Sequence, residues 1–119
     1  LLQQAMLNLV RNAAEAMSEV RRERVLTLAA RHEAGGVVLV VRDTGPGIAQ
    51  SDIDRIFNPF FTTRHAGTGL GLAIVHRIVD AHGGSIGVHN DPQTGGAVFR
   101  MTLPTRRRAQ ATAAEGATA

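Results

Sequence analysis

"HAGTGLGLAIVHRIVDAHGG", residues 65–84, sets three glycines on alternate positions at the mouth of an apolar-periodic segment and stops on a glycine pair. Leu70, Ile74, Val75, Ile78, Val79 and Ala81 recur at helical spacing, which predicts a helix over about 69–82. Gly83-Gly84 supplies residues that accept the left-handed cap conformation. Gly67, Gly69 and Gly71 precede or open the helix, where backbone N–H groups lack partners and the helix dipole favours an anion. Bare backbone at that place lets a di- or triphosphate approach. Flexible punctuation is the alternative. A Rossmann turn is excluded by context: the spacing is G-x-G-x-G, no parallel strand ends just before it, and no acidic residue ends a strand about 20 residues on.

Upstream, "NPFFTTRHAGTG", 58–69, reads as a loop. Phe57, Phe60 and Phe61 are three of the four phenylalanines. They form either a small satellite core or a hinged lid whose aromatics pack once nucleotide is bound, with Thr63 in the same stretch and Arg64 reaching phosphate. Before it, "RDTGPGI", 42–48, places Asp43 at a strand end, followed by Gly45, Pro46, Gly47 and Ile48. A turn after a strand has this composition. So does a pocket floor, where the carboxylate accepts from an exocyclic amine and the glycines let a flat base near the backbone.

The first helix is predicted over 1–20 from the stripe Leu2, Met6, Leu9, Ala13, Ala16, Met17 and Val20. Asn8, Asn12 and Glu15 share another face, four and three residues apart. Asparagine is a weak helix former, so two on one face have either a solvated or a ligand-directed role. An amide oxygen is a hard ligand suited to Mg²⁺. Residues 24–31 and 37–43 predict a hairpin about "EAGG", and 51–57 a short helix. "SIGVHN" and "AVFRMTLP" predict a second hairpin about "DPQTGG". Residues 105–119 are Ala/Thr/Arg-rich without periodicity and are expected to be a disordered tail or linker after a domain spanning 1–104.

Composition bounds the function. The chain has 119 residues, 44% apolar and 19% charged, with a net charge of +3. That is ordinary for one globular domain. No cysteine is present, which excludes disulfides and thiolate metal sites and fits a reducing, cytoplasmic compartment. No run reaches membrane-spanning length, so no direct membrane contact is expected. Trp and Tyr are absent, so the Arg106–Arg108 run lacks the aromatic platforms of a nucleic-acid binder. The chain begins mid-pattern at Leu1 and is expected to be a piece of a longer protein.

In order and spacing, "NLVRNAAEAM", "DTGPGI", "IFNPFFTTR", "GTGLGLAIV" and "GG" resemble the catalytic ATP-binding domain of sensor histidine kinases, within the GHKL superfamily. The wording "NAAEAM" and "PFFTTR" is most similar to the nitrogen-regulation and oxygen-sensing branches. The resemblance covers residues 1 to about 104. It implies an α+β fold, a two-layer α/β sandwich of the Bergerat type, with a mixed β-sheet packed against helices and a mobile ATP lid. It implies ATP and Mg²⁺ as ligands, with Asn12 on the metal, Asn8 supporting the phosphates and Asp43 accepting from the adenine amine. Gly45, Gly47 and Ile48 would border the base. Phe60, Thr63 and Arg64 would belong to the lid, and Gly67, Thr68, Gly69, Leu70 and Gly71 to the phosphate cradle. Many members carry lysine where Glu15 stands, although an acidic residue occurs in the two branches named. Lysine is also frequent where Arg64 stands, so there the charge is kept but not the geometry.

The family's phosphoacceptor histidine lies on a dimerising helical hairpin upstream of the asparagine box. It is absent from this stretch, since His32-Glu33 falls beside a predicted turn. The resemblance therefore implies a fragment that binds ATP without phosphorylating itself. Its partners would be the dimerisation domain of its parent and a response regulator. Two other readings remain: a different ATPase of the same fold, with Glu15 activating water, and a nucleotide-free interaction module.

Overall fold

The computed structural model describes residues 1–59, 61 and 71–105. Two helices, α1 (Leu2–Ala16) and α2 (Gly71–Ala81), lie on one face of a sheet made of β1 (Thr27–Glu33), β2 (Gly36–Arg42), β3 (Ser85–Asn90) and β4 (Ala97–Pro104). The order is β1-β2-β4-β3, so the last strand of the chain sits inside the sheet. All three pairings are antiparallel, which corrects the expectation of a mixed sheet. Strand direction here follows from the long crossover between β2 and β3, and strand composition does not encode it.

Alternation decides what is buried. Val41, Phe99, Met101 and Leu103 point from β2 and β4 into one core with Ala5 and Leu9 of α1 and Val75, Ile78 and Val79 of α2. The reverse face carries a second cluster, Val38, Val40 and Val98. Arg31 stands opposite Val38, and Arg100 opposite Val40. Both arginines pair with Glu33, at 2.7 and 3.3 Å. The Arg31 hydrogen bond to Glu33 is the largest influence holding that carboxyl below its usual range. β1 is exposed along its whole length, as an edge strand beyond the reach of the helices.

Most predicted elements are present, with shifted ends. α1 stops at Ala16 rather than 20: the Ser18 hydroxyl donates to Glu15 O at 2.8 Å, competing for the carbonyl that another turn would use. Val20 therefore leaves the apolar stripe. β1 starts three residues later than expected, because Thr44 Oγ1 accepts from Val25 N and donates to Glu23 O. The predicted helix over 51–57 is only a 3-10 turn at Gln50–Asp52. α2 ends as its glycines dictate. Gly83 has φ +76°, its N–H donates to Asp80 O, and Gly84 N–H donates to Val79 O. That pair of bonds is a Schellman motif.

Among the described residues no helix is long and apolar enough to cross a membrane. Of the expected lid and cradle, Phe60, Thr63, Arg64, Gly67, Thr68, Gly69 and Leu70 lie outside the described residues, as does the tail beyond Thr105. Phe57 belongs to the main core rather than to a lid: its ring meets Phe99 edge-on at 6.3 Å and His76 at 5.7 Å. Phe61 is packed against the same core beneath Arg55, 5.0 Å from its ring centre.

Phe99 sits where β4, both helices and Phe57 converge and is 2% exposed. Phe99→Ala is expected to lower unfolding free energy by about 3–5 kcal/mol, read from urea denaturation. A loss below about 1 kcal/mol would mean that this core is not the one that holds the sheet to the helices.

Candidate functional site

A buried carboxylate needs fixed donors, because isolated charge in a core is costly. Asp43 is 3% exposed, the one charged residue among the buried ones described. It extends β2 by one step: its N–H donates to Ala97 O at 3.0 Å. Its Oδ1 accepts from Gly45 N at 2.8 Å and from Ala97 N at 3.2 Å. Both bonds fall on one oxygen, so the carboxyl plane is set and Oδ2 is oriented for a further donor.

The loop that follows is held from three sides. From α1, Met17 Sδ lies 3.4 Å from Thr44 N, and Ala16 O lies where a Cβ on Gly45 would touch it. From the segment after α1, one Arg22 amino group donates to Thr44 O, Gly45 O and Thr94 O at 2.9, 3.1 and 3.2 Å. From the β3–β4 hairpin, Asn90 Oδ1 accepts from Ile48 N at 2.9 Å, while its Nδ2 donates to Ile48 O at 2.8 Å. Gly47 has φ +81°, and a Cβ there would overlap Gly95 O and approach Asn90. Gly47 thus meets protein on the side where a side chain would be, and glycine is required for packing as well as for φ.

Asn8, Asn12 and Glu15 do share a face of α1. The two asparagines are half-buried and Glu15 is exposed. Asn8 Nδ2 is buried without a hydrogen-bond partner among the described residues, a state that polar groups rarely hold unless a ligand or water completes it. The end of α1 touches the Asp43 loop at Ala16. At 1.5 Å rise per residue, Asn12 lies about 6 Å and Asn8 about 12 Å back along the axis from that contact. Asn8 and Asn12 thus lie along one face of the helix whose end meets the Asp43 loop. At the far end of the described chain gap, Gly71 opens α2 with nothing within 4 Å of the place a Cβ would take.

Among the described residues no group of three or more His, Asp or Glu could hold a metal ion. His82 Nδ1 lies 2.8 Å from Ile78 O, which makes it part of the α2 terminus. Sequence reasoning missed Arg22, Thr44 and Asn90. Asn90 left a signal: it occupies the core-facing register of Ile86 and Val88, where a polar side chain needs a reason. Arg22 left none, since its furthest acceptor is 72 residues away.

Residues 1–107 match the family described as histidine kinase-, DNA gyrase B-, and HSP90-like ATPase. The chain is 44% identical over 103 residues to the sensor histidine kinase ZraS of Escherichia coli (strain K12), covering 87% of this chain and 21% of that protein. It is 39% identical over 107 residues to the nitrogen regulation protein NtrY of Azorhizobium caulinodans, covering 87% and 14%. The chain therefore spans about a fifth or less of the curated relatives it matches. Among solved structures, a mycobacterial sensor histidine kinase, MprB, superposes with TM-score 0.76 at 33% identity over 85% of this chain and 70% of that one. Full-length ShkA in complex with AMPPNP gives 0.74 at 38% identity, over 87% and 21%. The histidine kinase ThkA in complex with the response regulator TrrA gives 0.71 at 35% identity, over 87% and 28%.

The glycines differ in what they tolerate. Gly47→Ala is expected to destabilise by at least about 1–2 kcal/mol from the left-handed backbone alone. Gly71→Ala, at an open helix start, should leave stability within about 1 kcal/mol of wild type or raise it. Urea midpoints of the two variants decide; equal midpoints would remove the close packing assigned to Gly47.

Proposed function

Because the chain belongs to the histidine kinase-, DNA gyrase B- and HSP90-like ATPase family, we propose that it is the Mg·ATP-binding catalytic domain of a two-component sensor histidine kinase. Residues 1–104 form that domain and 105–119 a linker. The whole protein moves the γ-phosphoryl of ATP to a histidine on its dimerisation domain and then to an aspartate on a response regulator, in the cytoplasm. The relatives' names and the kinase–regulator complex of ThkA and TrrA support this reading. The single observation that carries it is the oriented Asp43 carboxyl at one end of α1 with the unpartnered Asn8 donor toward the other.

Each residue then has a task. Asp43 Oδ2 accepts from the exocyclic amine of adenine, a group that guanine replaces with a carbonyl. Gly45, Gly47 and Ile48 border the base. Asn8 Nδ2 donates to a phosphate oxygen, which completes the one buried side-chain amide without a partner among the described residues. Asn12 offers its amide oxygen to Mg²⁺, which when bound neutralises phosphate charge. Gly71, with Gly67, Thr68, Gly69 and Leu70 before it, presents backbone N–H groups to phosphate at the start of α2. Phe60, Thr63 and Arg64 complete the lid over the nucleotide. Positioning and charge stabilisation are the protein's main work in phosphoryl transfer. The chain binds ATP and supplies this half of the reaction; the acceptor histidine comes from its parent.

Asp43→Asn should weaken ATP binding by at least about tenfold, the loss of roughly one buried polar contact. The asparagine oxygen can still take the Gly45 and Ala97 N–H groups, so the fold survives while an NH₂ faces the adenine NH₂, donor against donor. Titration calorimetry with circular dichroism as control checks this, and unchanged affinity would remove Asp43 from the pocket.

Asn12→Ala should abolish most of the Mg²⁺ enhancement of ATP binding, and Asn8→Ala less of it. Titrations with Mg²⁺ and with EDTA measure both. Equal enhancement in wild type and Asn12→Ala would overturn the metal assignment.

A further inference from the structure

We infer that Asn90 is a positioning residue for base recognition: its carboxamide locks Ile48 and so fixes the far end of the loop whose near end Asp43 fixes. The inference rests on the adenine reading of Asp43 and adds a residue from another part of the chain to it.

The loop between Asp43 and Ile48 is short, and two side chains determine its ends. Asp43 Oδ1 takes Gly45 N near the start. At the other end Asn90 makes both bonds that a neighbouring strand would make, accepting from Ile48 N and donating to Ile48 O, at 2.9 and 2.8 Å. β3 ends at Asn90, and its side chain makes with Ile48 the donor–acceptor pair that a backbone rung would make. An amide is the only uncharged side-chain group that both donates and accepts from a planar fork. Serine could do one of the two at a time, and aspartate would set a carboxylate oxygen against Ile48 O.

Two further observations tie Asn90 to the site. It stands in the core-facing register of β3, paired with Ala97, whose N–H binds Asp43 Oδ1. The two loop anchors therefore hang from adjacent points of one hairpin. And Gly47 lies against Asn90, a Cβ there coming 2.8 Å from its Oδ1, so the bare backbone expected beside the base is seated on this amide. Releasing Asn90 frees Gly47 and Ile48 to move relative to Asp43, which changes the distance between the base's edge and its flanking backbone.

The test uses the purified 119-residue chain with ATP and GTP as probes and compares Asn90→Ala, Asn90→Asp and Asp43→Asn. Both Asn90 variants are expected to weaken ATP binding by about tenfold and to narrow the preference for ATP over GTP. Backbone hydrogen exchange at Ile48 should accelerate in Asn90→Ala, which loses the acceptor of that N–H, with exchange in α2 unchanged. Should Asn90→Ala fail to fold, Asn90→Asp keeps shape and the Ile48 N acceptor, and its ATP/GTP ratio alone decides. Wild-type affinity and base preference in the Asn90 variants, with Asp43→Asn impaired, overturn the positioning role and leave the adenine reading standing. Wild-type affinity in Asp43→Asn overturns the adenine reading and this inference with it. An Asn90 defect that lowers ATP and GTP binding equally, with faster exchange throughout α2, shows a general loss of fold and also overturns it.

Discussion

One oxygen, Oδ1 of Asp43, joins the two halves of the sheet edge to the loop beyond it. It receives Gly45 N from its own loop and Ala97 N from the first residue of β4. Without a carboxylate or amide oxygen at that point, two buried N–H groups would lose their acceptor, at roughly 1–3 kcal/mol each. The neighbouring contacts follow from it. Gly96 must be glycine because a Cβ would fall on the Asp43 carbonyl. Arg22 can reach Thr44, Gly45 and Thr94 together only because the loop and the hairpin turn are drawn side by side. Both structural bonds thus fall on the same oxygen of the group.

How much of this was legible in the residues depends on the range of the interaction. The strands at 85–90 and 97–104 and the stop of α2 at Gly83 were readable, because alternation and glycine caps act within a few positions. The end of α1 was misread by four residues: the apolar stripe continues through Val20, but Ser18 turns its hydroxyl onto the backbone. The burial of Val38 and Val40 on the reverse face was also hidden, since it depends on which strands come to lie on either side of β2. Strand direction was misjudged, as nothing local to β2 or β4 reports that they run antiparallel.

The site divides the same way. Asp43, Asn8 and Asn12 announce themselves as polar residues where the local pattern does not ask for them. Asn90 was equally anomalous in its register, but it was read only as the last residue of the strand "SIGVHN". Its role is visible only when Ile48, 42 residues earlier, is placed beside it. Gly45 and Gly47, expected to border a base, also leave room for Ala16 and Gly95. Glycine between a ligand and a packed backbone is constrained from the protein side first.

β4 lies inside the sheet although it follows the other described strands in the chain, and this bears on the order in which the Asp43 loop can take its shape. During synthesis α1, the β1–β2 hairpin and α2 emerge with their local contacts available. Asp43 must wait for Ala97, 54 residues later, and Arg22 for Thr94. Such distant pairings form slowly, because loop closure precedes the contacts that reward it. The loop of Asp43 therefore assumes its shape only when the hairpin 85–104 inserts beside β2. A nascent or proteolytically shortened chain lacking that hairpin keeps the Gly45 bond to Asp43 and the Arg22 bonds to Thr44 and Gly45, but has neither the Ala97 nor the Asn90 anchor of the Asp43–Ile48 loop.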